Sequence, residues 1–160
     1  MPTVITGTDG VSQVQTGAVE SGDLPAGSVI QRVINQDIDA GDIGTTSTSL
    51  VASGIQASIT PTSSSNYIDV YFSVAMTFDA PGELESKMYV NGSEWPNTGD
   101  YNVSFRAAGI YAPSVFFLRY YPANTSTLTF EPFFKSRNGG LTRLVHVNTT
   151  YALVLTEIAG

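Results

Sequence analysis

The sequence of 160 residues contains no cysteine, which excludes disulfide bonds and thiolate metal sites. Stability must therefore come from packing, sheet hydrogen bonds or association of several copies. No apolar run approaches the roughly 18 residues of a membrane-spanning helix, so no membrane partner is expected. The first residues, 1–7, lack the basic segment and apolar core of a secretion signal. Together these absences favour assembly in a reducing cytoplasm.

Charged residues are also scarce, because they make up 13% of the chain and leave a net charge of −7. Phosphate binding needs clustered Lys and Arg, so nucleic acid is not expected as a partner. Serine, threonine, glycine and asparagine are abundant instead. A surface of small hydroxyl side chains suits a β-sheet that packs against other copies.

Apolar and polar residues alternate along most of the chain, and no window shows the spacing of an amphipathic helix. The strongest predicted strand, Tyr67–Phe78, is rich in β-branched and aromatic residues. Further strands are predicted over 28–35, 87–90, 103–111, 114–121, 125–130 and 141–158, the last with a break near Asn148. Asn91-Gly92 predicts a tight hairpin turn after 87–90, and Pro113 is expected to divide 103–111 from 114–121. About eight strands divided by turn residues predict an all-β fold, an antiparallel β-sandwich of jelly-roll-like type.

The first 26 residues differ from the rest, because they are small, polar and punctuated by glycine. They hold too few apolar groups to offset the entropy of ordering them. We predict an extended arm over 1–26 that docks on or intertwines with partner chains, and a β-sandwich knob over 27–160. A disordered tail is the alternative. The apolar contacts of the arm would be Val4, Ile5, Val11, Val14 and Val19.

Three segments carry a resemblance to a known family. Residues 10–15 followed by 22–31, then 59–68, and finally 151–159 resemble parts of tailed-bacteriophage fibre and decoration proteins with a C-terminal jelly-roll-like domain. The resemblance implies a homotrimer on the virion, assembled in the host cytoplasm. Its further partners would be tail or baseplate proteins, or the major capsid protein. A long shaft usually precedes such a domain, and we expect this chain to lack it because its fibre-like segment begins close to Met1.

These observations leave three functions open. The first is a short trimeric tail fibre that contributes to attachment to host-surface glycans. The second is a trimeric capsid decoration, or cement, protein that stabilises the head. The third is a carbohydrate-binding module or glycoside hydrolase unconnected to phage.

One predicted loop combines an aromatic face with hydrogen-bonding side chains. Trp95, Asn97, Asp100 and Tyr101 could stack on a sugar ring and bond its hydroxyls. Tryptophan and tyrosine are equally typical of protein cores and subunit interfaces. The loop is therefore a candidate glycan site, with core or interface packing as the alternative.

Two phenylalanine pairs, Phe116–Phe117 and Phe133–Phe134, lie within predicted strands. Successive side chains of a strand point to opposite faces, so one member of each pair is exposed or covered by another chain. All four residues are therefore candidates for an oligomer interface.

No residue pattern indicates catalysis or a cofactor. His146 is the single histidine and alternates with apolar residues, which is typical of a strand face. Asp37–Asp42 does not have the ligand spacing of a calcium loop and is interpreted as an acidic turn. Glu83 and Glu85 follow Pro81-Gly82 and are interpreted as solvated turn residues rather than a glycosidase pair. We expect no enzymatic activity, no metal and no cofactor.

Overall fold

A computed structural model describes residues 23–78, 83–95, 103–106, 111–146 and 148–160. This part of the chain forms two antiparallel sheets. The strands are β1 (Val29–Ala40), β2 (Ile43–Thr45), β3 (Val51–Ala52), β4 (Ala57–Ile59), β5 (Tyr67–Phe78), β6 (Glu83–Val90), β7 (Ser93–Trp95), β8 (Val103–Arg106), β9 (Tyr111–Tyr120), β10 (Leu128–Ser136), β11 (Thr142–Val145) and β12 (Thr149–Ile158).

Sheet I runs across β1, β12, β5 and β9, and β11 pairs with the end of β5 and with β2. Sheet II has β10 and β6 at its centre, with β3 and β4 beside β10, and β7 and β8 beside β6. The chain passes repeatedly from one sheet to the other, as in a β-sandwich. The predicted all-β sandwich is confirmed, whereas its jelly-roll-like type, the trimer and the N-terminal arm stay predictions.

Two turn predictions are matched by the backbone. Asn91 and Gly92 have φ angles of 50° and 75° and join β6 to β7, as a type I′ turn requires. Asn148 has a φ of 59° and separates β11 from β12, where the sequence indicated a break. Residue types that tolerate a positive φ therefore occur both at the hairpin turn between β6 and β7 and at the break between β11 and β12.

Proline was a poorer guide to strand ends. Pro113 lies inside β9 and pairs with Ala75, although the sequence suggested that it divides two strands. A proline is tolerated there because β9 has only one neighbour among the described strands. Pro132 lies inside β10, where its carbonyl accepts a hydrogen bond from Ser53 N at 3.2 Å. Because proline has no backbone N–H, Pro132 cannot donate a hydrogen bond on the side of β10 where its carbonyl accepts one. The strand on that side is therefore interrupted and forms two short strands, β3 and β4.

The core lies between the two sheets and follows the period of two. Along β10 buried and half-buried residues alternate without exception. The largest fully buried side chains are Phe72, Phe130, Phe134, Ile55, Ile59, Ile68, Met76, Leu84, Met88, Leu144 and Leu153. Phe72 and Phe116 meet edge to face at 5.1 Å between ring centroids. This cluster supplies the packing that a chain without disulfides needs.

Candidate interaction surfaces

The outer face of sheet I carries a row of apolar side chains. Ile34 pairs with Val154, Val154 with Tyr71, and Tyr71 with Phe117, so the row crosses four strands. Exposed fractions are 48% for Ile34, 38% for Tyr71 and 57% for Phe117, whereas Val154 is buried between its neighbours at 7%. We call these four residues the apolar row. It is a contiguous apolar surface, of the kind that marks protein–protein interaction sites.

The neighbouring rows show where this surface ends. On one side Val115, exposed by 57%, pairs with Ser73, and Ser73 pairs with Ala152. On the other side Arg119 pairs with Asp69 in register and through a salt bridge of 2.7 Å. The apolar row is therefore bordered on one side by the uncharged residues Val115, Ser73 and Ala152, of which Val115 extends the apolar surface, and on the other side by an ion pair. Depletion of charge at the centre and polarity at the rim is typical of an interface.

The outer face of sheet II has a different character, because its charges are paired within the chain. Glu85 is buried and pairs with Lys135 at 3.1 Å and with Arg137 at 3.4 Å. Lys87 is also buried and pairs with Glu94. The interpretation of the Glu83–Glu85 segment as a turn is wrong, since both glutamates lie in β6. Strand pairing with β10 brings Lys135 opposite Glu85, which the local sequence does not show.

The two phenylalanine pairs divide between inside and outside, as strand alternation requires. Phe116 and Phe134 are buried in the core, and Phe117 belongs to the apolar row. Phe133 is half-buried and stacks on Tyr89 with ring centroids 3.9 Å apart. A role for these residues between copies stays a prediction, with Phe117 the most exposed of them.

Trp95 ends β7 and lies half-buried against the core. Its ring meets Tyr120 edge to face at 5.3 Å and Phe130 at 6.4 Å between centroids. These contacts are those of a packing residue. Asn97, Asp100 and Tyr101, the other members of the predicted glycan site, lie outside the described residues, so that site stays a prediction.

The arm residues Val4, Ile5, Val11, Val14 and Val19 also lie outside the described residues. Within the described ranges, no group of three His, Asp or Glu side chains could hold a metal ion. His146 is half-buried, and Asp42 pairs with Arg143 at 3.1 Å. The described ranges likewise include no helix long and apolar enough to cross a membrane.

A buried carboxylate closes one end of the sandwich. Glu157 is fully buried, and its Oε1 accepts hydrogen bonds from Thr62 N, Thr62 Oγ1 and Asn66 Nδ2 at 2.7–2.8 Å. Its Oε2 accepts one from Gln31 Nε2 at 2.6 Å. Burial alone raises the pKa of Glu157, but the hydrogen bonds from Asn66, Gln31 and Thr62 outweigh it and lower the pKa. The charged carboxylate therefore ties β12 to β1 and to the loop that joins the two sheets.

Sequence reasoning missed Ile34, Tyr71 and Val115 as surface residues. A signal was present, because the run Val115–Leu118 is apolar in both registers of the strand. A strand in a two-layer sandwich needs only one apolar face. A second apolar register therefore indicates an apolar outer face, as Val115 and Phe117 show.

Comparison with known proteins assigns no family. No family model matches the chain, and no curated protein matches it. Among solved structures, the chain is similar to the VP2 subviral particle of infectious bursal disease virus, with 12% identity and a TM-score of 0.45. That match covers 82% of this chain and 40% of the VP2 chain, so this chain spans less than half of its length. A structure described as "CBM4 structure and function" matches at 11% identity and a TM-score of 0.19, over 74% of this chain and 92% of that chain.

Proposed function

We propose that this chain is a structural subunit of a bacteriophage virion, a short trimeric tail fibre that contributes to attachment to the host surface. The observation that carries the proposal is the apolar row on the outer face of sheet I. The β-sandwich of two antiparallel sheets and the resemblance of segments 10–15, 22–31, 59–68 and 151–159 to phage fibre and decoration proteins support it.

The contrast between the two outer faces explains why sheet I is the contact surface. Covering Phe117, Tyr71 and Ile34 removes apolar area from water, at roughly 25 cal/mol for each Å². Covering the outer face of sheet II would desolvate Arg137, whose side chain is 63% exposed and lies 3.4 Å from Glu85, a cost that the attraction within such a pair rarely exceeds. Copies of the chain are therefore expected to meet through sheet I and to leave sheet II towards solvent.

Association through this row is tested by Phe117→Ser. Phe117 is more than half exposed in the single chain, so the variant is expected to fold normally. Each copy loses about 1–2 kcal/mol of apolar burial at the contact, and a trimer loses it at three contacts. Sedimentation equilibrium is expected to give a trimer for the unaltered protein and a folded monomer for the variant.

A matched control is Tyr121→Ser, which removes an aromatic ring that is exposed by 70% but lies outside the apolar row. This variant is expected to remain a trimer. An unaltered protein that sediments as a monomer, or a Phe117→Ser variant that remains a trimer, would show that sheet I does not join the copies.

The place of the subunit on the particle is tested by quantitative mass spectrometry of purified virions. A tail fibre is expected at far fewer copies than the major capsid protein. A copy number of the same order as that of the major capsid protein would identify a decoration protein instead. Absence of the chain from purified particles would contradict both and leave a carbohydrate-binding module outside the virion.

A further inference from the structure

Two tyrosines lie together at one end of sheet I. Tyr67 is the first residue of β5, and Tyr121 directly follows β9. Because Ile68 pairs with Tyr120, these two chain ends meet at the same place. The ring centroids of Tyr67 and Tyr121 are 6.1 Å apart, with planes inclined by 54°. With 70% of its surface open, Tyr121 is among the most exposed large side chains of the described residues.

An ion pair fixes this aromatic pair. Arg119 donates from Nε to Asp69 Oδ1 at 2.7 Å and from Nη2 to Asp69 Oδ2 at 3.0 Å. Its guanidinium carbon lies 3.9 Å from the centroid of the Tyr67 ring, a cation–π contact. Hydrogen bonding to Asp69, the nearby charge of Asp69 and interactions with both tyrosines raise the pKa of Arg119 above its ordinary value. The four side chains therefore form one connected unit, which we call the tyrosine platform (Tyr67, Asp69, Arg119 and Tyr121).

Hydroxyl-bearing loops lie next to the platform. The segment 62–65 ends two residues before Tyr67, and the segment 123–127 begins two residues after Tyr121. The side chain of Thr127 is joined by a hydrogen bond of 2.8 Å to that of Thr60, two residues before the first segment. Serine, threonine and asparagine therefore lie close along the chain to both tyrosines. An aromatic face with a few fixed polar groups is the usual composition of a site for an amphipathic small ligand.

We propose that the tyrosine platform binds a neutral hexopyranose unit of a surface glycan. The apolar C–H face of the sugar stacks on Tyr121, and its hydroxyls bond to Asp69, Arg119 and the flanking loops. The bidentate pairing neutralises Arg119, and the chain as a whole carries a charge of −7, so an acidic sugar gains nothing here. Because the ion pair is already formed, little entropy is lost when the sugar binds. The proposal rests on the fibre function, since it names the contact that a fibre would make with its host.

The test is isothermal titration calorimetry with lactose, maltotriose and chitotriose as neutral probes and sialyllactose as the acidic comparator. At least one neutral probe is expected to bind more tightly than sialyllactose. Tyr121→Ala is expected to weaken that binding at least tenfold, because the stacking face is lost. Tyr121→Phe keeps the ring and is expected to retain the affinity within a few-fold. Tyr121 is so exposed that neither variant should change the unfolding midpoint, which circular dichroism checks.

Three outcomes would overturn the platform: no neutral probe binds, sialyllactose binds best, or Tyr121→Ala binds as well as the unaltered protein. The monomeric Phe117→Ser variant separates this proposal from the fibre function. If the unaltered protein is a trimer but binds none of the probes, only the proposed sugar site is contradicted. If it is a monomer that binds a neutral probe through Tyr121, only the proposed trimeric fibre is contradicted.

Discussion

Replacing Phe130 with alanine is expected to lower the free energy of unfolding by about 4 kcal/mol. Phe130 is fully buried in β10, and its ring meets Trp95 at 6.4 Å and Tyr120 at 5.5 Å between centroids. The substitution leaves a cavity between the two sheets that these large rings cannot easily fill. The midpoint of urea denaturation, followed by circular dichroism, measures the loss. Trp95 is the single tryptophan, so its native fluorescence is expected to shift to longer wavelength.

Phe133→Ala in the same strand is the matched control. Phe133 lies on the outer face of sheet II and stacks on Tyr89 rather than entering the core. We expect a loss of about 1 kcal/mol and an unchanged tryptophan emission. Equal losses for the two variants would contradict the assignment of inner and outer faces in β10.

Replacing Glu157 with alanine is expected to lower the free energy of unfolding by about 3 kcal/mol, because buried donors lose their acceptor. The N–H of Thr62 and the amide of Asn66 both point at Oε1, where water cannot easily replace the carboxylate. Glu157→Gln preserves the size of the side chain and is expected to cost less. Urea denaturation of both variants at neutral pH measures the difference.

The same carboxylate predicts a dependence of stability on pH. The folded-state pKa of Glu157 lies below its ordinary value of 4.5, so the folded chain favours the charged form. Its contribution is fully present above that ordinary value and is lost as the pH falls through the folded-state pKa. In Glu157→Gln this contribution is absent, so the variant is expected to lose less stability than the unaltered protein between neutral pH and pH 3.

Glu131→Gln is the control for the loss of a hydrogen-bonded carboxylate. Glu131 accepts hydrogen bonds from Gly54 N and Gln56 Nε2, both at 2.8 Å, but these bonds are exposed to solvent. At neutral pH this variant is expected to lose less stability than Glu157→Ala, because water can replace the lost acceptor at an exposed position. If Glu157→Gln and the unaltered protein lose the same stability on acidification, Glu157 is not the group that responds.

The two expected losses of stability come from different kinds of buried side chain, one apolar and one charged. Phe130 contributes through packing that any large apolar side chain of the right shape could provide. Glu157 contributes through hydrogen bonds that hold one charge in a place where an unpaired charge would be costly. Since Glu157 ties β12, β1 and the 60–66 loop together, its loss is expected to loosen the end of the sandwich that carries Tyr67.

The sequence by itself determined the class of fold and several of its boundaries. Alternation over Tyr67–Phe78 predicted β5 with both of its ends, and Asn91-Gly92 predicted the hairpin between β6 and β7. These signals are local, because a strand repeats every two residues and a tight turn depends on the φ angles of its own residues. Strand boundaries were predicted less well where a proline or glutamate has a partner far away in the sequence. The segment 83–85 and residue 132, for example, belong to β6 and β10 but lay outside the predicted strands.

Only the tertiary structure decided which side chains meet. Alternation shows that Phe116 and Phe117 face opposite ways, but it cannot show which of them meets the other sheet. The apolar row depends on the registers of β1, β12, β5 and β9, and the tyrosine platform depends on the pairing of β5 with β9. The burial of Glu157 depends on Asn66, which is 91 positions away in the chain. Such contacts arise when distant strands pair, and no local pattern of residues contains that information.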